Sequence, residues 1–382
     1  MKILLNIDTI LSNSGGIGIY TKFLLRGLMI DERIKELIIY PSLNKNELSH
    51  LLNANSLLPQ SFFSTRLKPY LRKIKIVRST FRSYKNLLFY LKNYNSDAIY
   101  HEPNFFLHNY SGKKIATIHD LSFLENNNFH PKDRIDFMKS EIKKTVNHAD
   151  HLITDTNAIK NQLIDTYSVD PSRITTIHLG VERTEHNSAS IARFLKKHNL
   201  YQDSYILSVA TIEPRKNIDS ILSAYFQLDS SIRNKYPLVI VGKEGWNTEA
   251  TMTRIRQLVL ANKIRYLNYV SDLDICYLQR AARATIYVPY YEGFGLPPLE
   301  SMASGVPALV SSIKVIREVC GDSVYYADPF SPDSIKVGLE AILLNESIRD
   351  NLKKLGEITY KKYSWSSTVS KTIDLYEKIS TN

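Results

Sequence analysis

The chain has 382 residues, a formal net charge of +11 and 43% hydrophobic residues. This length is sufficient for two domains of ordinary size, and the composition is that of a globular protein. No apolar run approaches the roughly 18 residues that a membrane-spanning helix needs, and the early charge at Lys2 argues against a secretory signal. The two cysteines, Cys276 and Cys320, are too few for a disulfide framework and indicate a reducing cytoplasm.

In the first half of the chain, short apolar segments alternate with longer amphipathic ones. The short segments predict buried strands and the longer ones predict helices. We predict strands at Ile3–Ile7, Leu37–Tyr40, Ala98–Tyr100, Ile115–Ile118, His151–Thr154 and Thr175–His178, and helices near Ile19–Met29, Pro69–Tyr94, Lys132–His148 and Ala158–Tyr167. Because apolar strands joined by helices form parallel sheets covered on both faces, residues 1–185 are predicted to form one α/β domain.

The predicted helix within Pro69–Tyr94 is unusually basic, since residues 48–96 contain nine basic residues and no acidic one. Apolar residues recur at helical spacing, at Leu67, Tyr70, Leu71, Ile74, Val77, Phe81, Tyr84, Leu88, Leu91 and Tyr94. One interpretation is a helix packed on the sheet with a solvated polar face. The other is a docking face, Arg66–Lys92, for anionic inner-leaflet lipid or a lipid-diphosphate acceptor, where each cation contributes roughly 1 kcal/mol. Nucleic acid is a third option without a recognised binding module.

A polar segment, 186–203, interrupts the alternation and is predicted to be an interdomain linker. Beyond it the same alternation predicts a second α/β domain, 204–365. Its strands are predicted at Tyr205–Val209, Leu238–Val241, Ile264–Tyr269, Thr285–Val288, Ala308–Val310 and Val324–Tyr326. Its helices are predicted near Ile218–Leu228, Glu249–Leu260, Leu273–Ala281, Pro298–Ala303 and Pro332–Leu344, and the tail continues with helices near Arg349–Lys362 and Ser366–Ile379.

Two glutamates bracket a turn rich in glycine and proline, Glu292-Gly293-Phe294-Gly295-Leu296-Pro297-Pro298-Leu299-Glu300. Glu292 ends a predicted strand, and Glu300 lies in the next predicted helix. The glycines let the backbone turn sharply and approach a ligand, and proline suits the first helical turn. Because a helix N-terminus attracts anions, two carboxylates on either side of it predict a site for a sugar nucleotide.

A second glycine-rich turn, Ser14-Gly15-Gly16-Ile17-Gly18, follows the first predicted strand and begins a helix. Free backbone N–H groups in such a turn favour a phosphate. Thr21 stands where the dinucleotide-binding fingerprint has its third glycine, which disfavours a nicotinamide-dependent oxidoreductase. Taken alone, the turn is equally compatible with a structural role.

Charged residues follow three further predicted strands. His101-Glu102 and His119-Asp120 end strands of the first half, and Arg215-Lys216 follows the first strand of the second half. Residues at strand carboxyl ends point into the crevice of a doubly wound sheet. The planar fork of Arg215 and the point charge of Lys216 provide the neutralisation that a pyrophosphate needs. We therefore predict that both cations bind phosphate and that His119 belongs to the same site.

Together these motifs resemble the retaining glycosyltransferases of family 4, whose fold is GT-B: two doubly wound, Rossmann-like domains that face each other across a cleft. The resemblance extends from Gly15 to Trp365 and includes Gly-Gly-Ile-Gly-x-Tyr, Glu-Pro-Arg-Lys-Asn and Glu-x7-Glu. The run Thr117–Phe123 is similar to bacterial O-antigen mannosyltransferase B-like enzymes. The chain departs from this pattern at Ile19, where arginine is common, and at Lys314–Arg317, where Leu-Pro usually occurs.

The resemblance implies a role for each motif. Glu292 would orient the transferred sugar, Glu300 would bind the ribose and His119 would contact a sugar hydroxyl. Arg215 and Lys216 would stabilise charge on the departing diphosphate. The further residues implied in donor binding are Gly16, Gly18, Gly242, Val270, Phe294, Gly295 and Leu296, and those implied on the acceptor side are Tyr20, Glu102 and Asp120. The turn Thr154–Asn157 resembles a family turn at the cleft, and a helix N-cap explains it equally well.

The function implied is transfer of a hexose with retention, mannose from GDP-mannose above all, onto a growing lipid-linked surface polysaccharide such as O-antigen. The enzyme is expected in the cytoplasm, on the inner leaflet of the plasma membrane if the basic stretch docks there. We expect no cofactor and no metal, because we identify no Asp-x-Asp motif in the sequence. The C-terminal helix, 366–382, is implied to pack back on the first domain.

Other functions stay open from the sequence. Rhamnose, glucose or N-acetylglucosamine from another nucleotide sugar would fit the same motifs, because no residue identifies the base. An epimerase or a phosphorylase can share the GT-B architecture. A non-enzymatic lipid- or nucleic-acid-binding protein would rest on the basic stretch alone.

Overall fold

The structure is a computed structural model that describes residues 1–12, 15–53, 84, 86–94, 96–125, 129–183 and 187–381. Two six-stranded sheets organise these residues, one in each half of the chain, and all strand pairs in both are parallel. The predicted α/β fold class is confirmed, and every predicted strand overlaps a strand of the structure.

The sheet of the first domain has the order β2-β1-β3-β4-β5-β6. Its strands are β1 (Lys2–Asn6), β2 (Glu36–Tyr40), β3 (Ile99–Glu102), β4 (Lys114–Ile118), β5 (His151–Thr154) and β6 (Ile174–Thr176). Ile3, Leu4 and Leu5 of β1 are fully buried in succession, as a strand covered by helices on both faces requires. The α-helices of this domain are Asp8–Leu11, Gly16–Ile30, Lys45–Asn53, residues 86–93, Lys132–His148 and Asn157–Tyr167.

The sheet of the second domain has the order β12-β11-β10-β7-β8-β9. Its strands are β7 (Ile206–Val209), β8 (Leu238–Val241), β9 (Arg265–Leu267), β10 (Ala284–Tyr287), β11 (Ala308–Ser311) and β12 (Tyr325–Ala327). The α-helices that follow the first domain are Ser188–Lys197, Ile218–Gln227, Ser230–Lys235, Glu249–Leu260, Asp272–Ala281, Leu296–Ala303, Lys314–Cys320, Pro332–Leu344, Glu346–Tyr360 and Trp365–Thr381.

The strand order reverses between β1 and β3 in the first sheet and between β7 and β10 in the second. In an open parallel sheet, ligands bind in the crevice outside the carboxyl ends of the strands at this point. The Gly15–Gly18 turn follows β1, Arg215 and Lys216 follow β7, and Glu292 follows β10. The topology therefore places the predicted motifs at the two crevices.

The segment 186–203, predicted to be a linker, contains the helix Ser188–Lys197. The side chain of Asn187 caps this helix by accepting a hydrogen bond from the N–H of Ala189. Ile191 and Leu195 are buried against the hydrophobic core of the second domain. The linker prediction is wrong for this part, because the polar residues belong to the exposed face of an amphipathic helix.

The helix predicted over Pro69–Tyr94 lies mostly outside the described residues. Residues 86–93 are helical, but their apolar side chains do not follow the predicted buried stripe. Tyr84, Leu88, Leu91 and Tyr94 are 43–61% exposed, and Phe89 is buried instead, against Tyr40 and Tyr100. Packing of this stripe on the sheet, one of the two interpretations, is therefore not observed at these four positions. Within the described residues, no helix combines the length and the apolar character that crossing a bilayer demands.

The C-terminal helix, Trp365–Thr381, packs on the first domain. The Trp365 ring stacks on Phe23 with centroids 4.6 Å apart, and a Cβ atom at Gly27 would overlap the side chain of Val369. The hydroxyl of Tyr376 lies 2.5 Å from Nδ1 of His101, whose Nε2 lies 2.9 Å from the hydroxyl of Thr117. His101 of β3 therefore lies in the core beneath this helix rather than in the cleft.

We expect His101 to make the stability of this domain dependent on pH. Burial lowers the pKa of His101 to about 3 from an ordinary value near 6.5. Below pH 6.5 the unfolded chain binds a proton that the folded chain does not, so stability falls as the pH falls, by up to about 1.4 kcal/mol per pH unit. Replacing His101→Asn should reduce the pH slope of the unfolding free energy between pH 5 and 6.5 by about that amount.

Denaturant unfolding followed by Trp365 fluorescence in a Trp246→Phe background measures this slope. The control is Tyr376→Phe, which removes a hydrogen-bond partner and keeps the imidazole. It should cost about 1–3 kcal/mol at neutral pH and retain the slope. An unchanged slope in the His101→Asn variant would contradict the prediction.

Candidate active site

A cluster of charged side chains lies where β7 and β10 end. Oε2 of Glu292 accepts hydrogen bonds from Nζ of Lys216 at 2.6 Å, from Nη1 of Arg215 at 3.2 Å and from the Tyr287 hydroxyl at 2.8 Å. Nζ of Lys216 also lies 2.7 Å from the Tyr287 oxygen. Nε of Arg215 donates to Glu213 at 2.7 Å. The structure thus brings together Arg215, Lys216 and Glu292, which the sequence predicted as one site.

A tight turn after β7 positions the two cations. Pro214–Lys216 form one 3₁₀ turn, which Asn217 ends in the left-handed conformation at φ 61°. Nδ2 of Asn217 donates to the carbonyl oxygens of Val288 and Pro329, at 2.9 and 2.8 Å. Because asparagine tolerates this conformation and its amide binds the neighbouring loops, the turn after β7 is fixed to the end of β10.

The charges within this cluster balance. Two cations, Arg215 and Lys216, face two carboxylates, Glu213 and Glu292. Burial favours the protonated form of Glu292, but Lys216 and Arg215 outweigh it and hold the pKa of this carboxyl below its ordinary value. A charge withdrawn from water is tolerated only when it is paired, so Glu292 and the two cations stabilise one another.

Tyr287 and Glu213 were missed as site residues. Tyr287 is the last residue of β10 and alternates with apolar neighbours, so its sequence context indicates only a core residue. Glu213 belongs to the Glu-Pro-Arg-Lys run, and its contact with Arg215 could have been inferred from that proximity.

The turn after Glu292 combines close packing with a short helix. Gly295 has φ 101°, and the helix Leu296–Ala303 begins directly after it. A Cβ atom at Gly293 would overlap the carbonyl oxygen of His119 in the other domain, so only glycine allows this approach. Because the second and third helical residues are prolines, which lack N–H groups, this N-terminus offers fewer donors to an anion than predicted.

The glycine turn of the first domain faces this helix. Gly15 has φ 58° and begins the helix Gly16–Ile30. A Cβ atom at Gly16 would lie 3.4 Å from a methyl group of Leu296, whereas one at Gly18 would lie 3.2 Å from the carbonyl oxygen of Thr9. Gly16 therefore lies at the cleft, and Gly18 packs within the first domain. Two helix N-termini, each a favourable environment for an anion, meet across the cleft.

Other predicted donor residues have internal packing roles. The Phe294 ring is buried beside His178 and Tyr363. A Cβ atom at Gly242 would overlap the carbonyl oxygen of Ala210, the N–H of Gly242 donates to Asn268 at 2.9 Å and its carbonyl accepts from the Tyr266 hydroxyl at 2.8 Å. Through these contacts, Phe294 and Gly242 support the neighbouring loops.

Glu300, in the helix Leu296–Ala303, and Val270 were also predicted to bind the donor. Oε2 of Glu300 accepts from Nε2 of Gln279 at 3.1 Å, and burial raises the pKa of Glu300 above its ordinary value. Val270 is half-buried immediately before the helix Asp272–Ala281. Neither residue contacts Glu292 through a hydrogen bond in the described part of the chain.

The expectation of no metal took the chain to lack an Asp-x-Asp motif, and this premise is wrong, because the chain contains Asp272-Leu273-Asp274. In the structure it begins a helix. The N–H of Asp274 donates to the Ser271 hydroxyl, and its carboxylate accepts from the N–H of Ser271. Ser271 and Asp274 therefore form a capping box, and Asp272 is the first residue of the helix.

His119 lies in the cleft wall with both ring nitrogens engaged. Nδ1 lies 2.7 Å from a carboxylate oxygen of Asp155, and Nε2 lies 2.8 Å from the carbonyl oxygen of Pro103. Burial disfavours the charged ring, but Asp155 outweighs burial and raises the pKa of His119. The imidazolium form satisfies both acceptors at once. Asp155 was not assigned to the site. Its turn faces the cleft through the contact of Asp155 with His119, and it also caps the next helix through Thr156, so both interpretations of the turn apply.

The residues predicted on the acceptor side differ in exposure. Burial favours the protonated form of Asp120. The nearby Arg215 and the hydrogen bonds from Ser122 outweigh burial and lower the pKa of Asp120. Tyr20 is buried, with its hydroxyl 3.1 Å from that of Thr117. Glu102 is buried as well and accepts from Asn6, Tyr100 and the N–H of Asn104. Tyr20 and Glu102 hold neighbouring loops, and their role toward an acceptor stays a prediction.

Several contacts hold the two domains against each other around the cleft. The hydroxyl of Tyr291 accepts from the N–H of Leu121 at 2.9 Å. Both carboxylate oxygens of Glu318 accept from the first N–H groups of the helix Asn157–Tyr167, at 2.7 and 2.9 Å. Nε1 of Trp246 donates to the carbonyl oxygen of Phe129 at 2.6 Å, and the guanidinium of Arg134 lies 4.4 Å above the indole ring. The cleft is therefore closed in this structure.

A cleft between two Rossmann-like domains, with two cations and a carboxylate at the strand ends, defines an enzyme that transfers a group from a nucleotide-activated donor. The sequence matches the family described as Glycosyl transferases group 1 over residues 190–361 and the family described as Glycosyltransferase Family 4 over residues 14–185. The O-antigen chain mannosyltransferase B of Escherichia coli is 31% identical over an alignment of 382 residues, which covers 99% of this chain and 100% of that protein. The chain belongs to glycosyltransferase family 4.

Solved structures share the architecture at low sequence identity. Anabaena HepE in complex with UDP-glucose has a TM-score of 0.70 and 12% identity, covering 99% of this chain and 100% of that one. WaaG, a glycosyltransferase involved in lipopolysaccharide biosynthesis, has a TM-score of 0.69 and 14% identity, covering 98% and 99%. The resemblance to a GT-B glycosyltransferase is confirmed.

We expect Asp155→Asn to lower the pKa of His119, because the substitution removes the negative charge that outweighs burial. Since asparagine has nearly the same shape as aspartate, the packing around the ring should stay the same. The His119 ring should then be neutral at pH 7. An NMR titration of the ring Cε1–H signal, assigned with a His119→Gln variant, measures the shift. Asp170→Asn, which removes a surface carboxylate that caps the next turn, serves as the control. An unchanged titration of His119 in Asp155→Asn would contradict the ionic contact.

Proposed function

We propose that the chain is a retaining mannosyltransferase that transfers mannose from GDP-mannose to a growing, lipid-linked surface polysaccharide such as O-antigen. The observation that carries the proposal is the cluster of Arg215, Lys216 and Glu292 at the point where the strand order of the second sheet reverses. The choice of mannose is supported by the full-length relationship to the E. coli O-antigen chain mannosyltransferase B.

The cluster supports donor binding by exchange of partners. A diphosphate that enters the crevice competes with Glu292 for Arg215 and Lys216, since both cations point at the same carboxylate oxygen. As the cations turn to the phosphates, the carboxylate of Glu292 becomes free to accept hydrogen bonds from sugar hydroxyls. The site is preorganised for this exchange, because the cations are already desolvated and held by the turn after β7.

The proposed transfer breaks the bond between the anomeric carbon and the diphosphate oxygen. The acceptor hydroxyl forms its bond to the anomeric carbon from the same face, and a phosphate oxygen of the departing diphosphate takes the hydroxyl proton. The products are the lengthened glycan and the nucleoside diphosphate. Arg215 and Lys216 stabilise the negative charge that develops on the leaving group. Closure of the domains excludes water and so disfavours hydrolysis.

The remaining donor contacts are proposals of the same kind. Glu300, held by Gln279 through one oxygen, would bind ribose hydroxyls through the other. His119 would reach a sugar hydroxyl if the carbonyl of Pro103 gives up Nε2 when the donor binds. We propose that no metal takes part, since the Asp274 carboxylate of the Asp272-Leu273-Asp274 sequence is engaged in a helix cap.

We further propose that the enzyme is cytoplasmic and docks on the anionic inner leaflet through the Arg66–Lys92 stretch. The described end of this stretch supports the idea, since Leu87, Leu88, Tyr90 and Leu91 are 38–61% exposed on the helix 86–93. An apolar face beside a run of basic residues is the composition of a helix that lies in a membrane interface.

The donor is tested by thermal shift with GDP-mannose, UDP-glucose, UDP-N-acetylglucosamine and dTDP-rhamnose. GDP-mannose should stabilise the protein most, and its transfer to a synthetic lipid-linked mannoside should be detected by mass spectrometry. Lys216→Ala should weaken the binding of GDP itself and lower the turnover rate about 100- to 1,000-fold, as loss of one charge-stabilising donor does.

Glu292→Gln should keep GDP binding within a few-fold and lose transfer, because it removes the charge facing the sugar and leaves the cations in place. Lys361→Ala, an exposed lysine on the second domain, serves as the matched control. Stabilisation by a UDP-sugar alone would overturn the choice of donor. A transfer rate unaffected by both cleft substitutions would overturn the function.

Docking on the membrane is tested by sedimentation with vesicles that contain phosphatidylglycerol. Replacing Arg72, Lys73 and Lys75 by glutamine should lower the affinity for vesicles by about 100-fold, because each cation near an anionic surface contributes about 1 kcal/mol to binding. The charge-matched control replaces the exposed Lys354, Lys361 and Lys362, and it should retain binding. Equal losses in both triple variants would contradict a specific docking face.

A further inference from the structure

A cavity of about 350 Å³ lies between the two domains, with Glu292 in its lining. The helix Asn157–Tyr167 of the first domain forms one wall, and residues 290–292 and 313–315 of the second domain form the other. Its volume is at the lower end of small-ligand sites, which suits one or two sugar rings. The polar side chains that line it, apart from Glu292, include Glu125, Asn161, Gln162, Asp165, Tyr291 and Lys314.

The charge of this cavity distinguishes it from the donor crevice. Glu292 is paired with Arg215 and Lys216, and the other charged side chains of the lining are two carboxylates, Glu125 and Asp165, and one cation, Lys314. This excess of negative charge disfavours a diphosphate, whereas the donor crevice presents Arg215 and Lys216. Carboxylates and amides accept hydrogen bonds from hydroxyl groups, and tyrosine rings provide apolar surface for a sugar face. The chemistry therefore suits a neutral saccharide.

A chain of hydrogen bonds stiffens the wall of the cavity and crosses the domain interface. Nε2 of Gln162 donates to Glu125 at 2.7 Å, and the Tyr291 hydroxyl donates to Oε1 of Gln162 at 2.7 Å. The same hydroxyl accepts from the N–H of Leu121 at 2.9 Å. Because Tyr291 belongs to one domain and its partners to the other, the wall is complete only when the cleft is closed. A ligand that binds such a site therefore stabilises the closed state of the cleft.

We propose that this cavity binds the terminal sugar of the acceptor glycan, a neutral saccharide whose hydroxyls bond to Asn161 and Asp165 while its reacting hydroxyl faces Glu292. The inference rests on the proposed function, since it uses Glu292 as the residue that holds the donor sugar. It also provides an accessible acceptor site, whereas Tyr20 and Glu102 are buried with partners of their own.

Filling the cavity tests the site. Asn161 is exposed on its helix, so Asn161→Trp should fold normally and occlude the opening. We expect the KM for a synthetic lipid-linked mannoside to rise at least tenfold while the affinity for the nucleotide sugar changes less than twofold. Asp165→Asn should raise the same KM about tenfold, as loss of a hydrogen bond to a charged group does. Thr166→Ala, exposed on the same helix and outside the cavity lining, should leave both constants unchanged.

A binding measurement keeps this inference separate from the proposed function. Saturation-transfer NMR with mannobiose and methyl α-mannoside, in the presence of GDP, needs no turnover and so applies even if no transfer is detected. The wild-type protein and Thr166→Ala should give ring-proton signals that Asn161→Trp abolishes. Signals that persist in Asn161→Trp, or the absence of signals from either sugar in the wild-type protein, would overturn the acceptor site. Parallel losses of donor and acceptor affinity in the filled variant would overturn it as well.

Discussion

The carboxylate of Glu292, held between Lys216 and Arg215, is the interaction on which the arrangement of the cleft depends. The side chain of Glu292 is 16% exposed, and a carboxylate withdrawn from water to this degree is stable only with partners. The partners come from the loops after β7 and β10, which are adjacent in the second sheet only because the strand order reverses there. The doubly wound topology therefore determines that the charges meet, and Asn217 holds the two loops in register.

The same requirement explains why the domains approach so closely. Gly293 follows Glu292 directly, and its backbone lies against the carbonyl of His119 in the first domain. Any side chain at this position would force the cleft apart and separate Glu292 from the wall that carries His119 and Asp120. Contacts farther out, such as Glu318 on the N-terminus of the helix Asn157–Tyr167, hold the closed arrangement without entering the crevice. Catalytic geometry and closure thus depend on the same few backbone contacts.

The C-terminal helix contributes to this arrangement from a distance. It begins at Trp365 after the second domain and ends on the first, where Tyr376 meets His101. A Cβ atom at Gly180 would overlap the backbone of Trp365, so the chain passes between the domains and returns at one crossing point.

The strands were predictable because buried parallel strands appear in sequence as short, continuous apolar runs, and this held for all twelve. The helix Ser188–Lys197 was missed because exposed amphipathic helices have polar compositions like those of linkers. The stripe ending at Tyr94 was misplaced because helical spacing identifies a face without saying what lies against it. In the site, Arg215, Lys216 and Glu292 were predictable, since each follows a strand and their chemistry suits a diphosphate and a sugar.

By itself, the sequence determined the fold class, the two crevices and the kind of charge that each would carry, because these follow from periodicity and from local motifs. Only the tertiary structure decided which charges pair. Tyr287 with Lys216, Asp155 with His119 and Tyr291 with Gln162 are separated by 71, 36 and 129 residues. Such contacts depend on strand order and domain closure, which no local pattern encodes. For the same reason, the cavity beside Glu292 exists only where two distant segments meet.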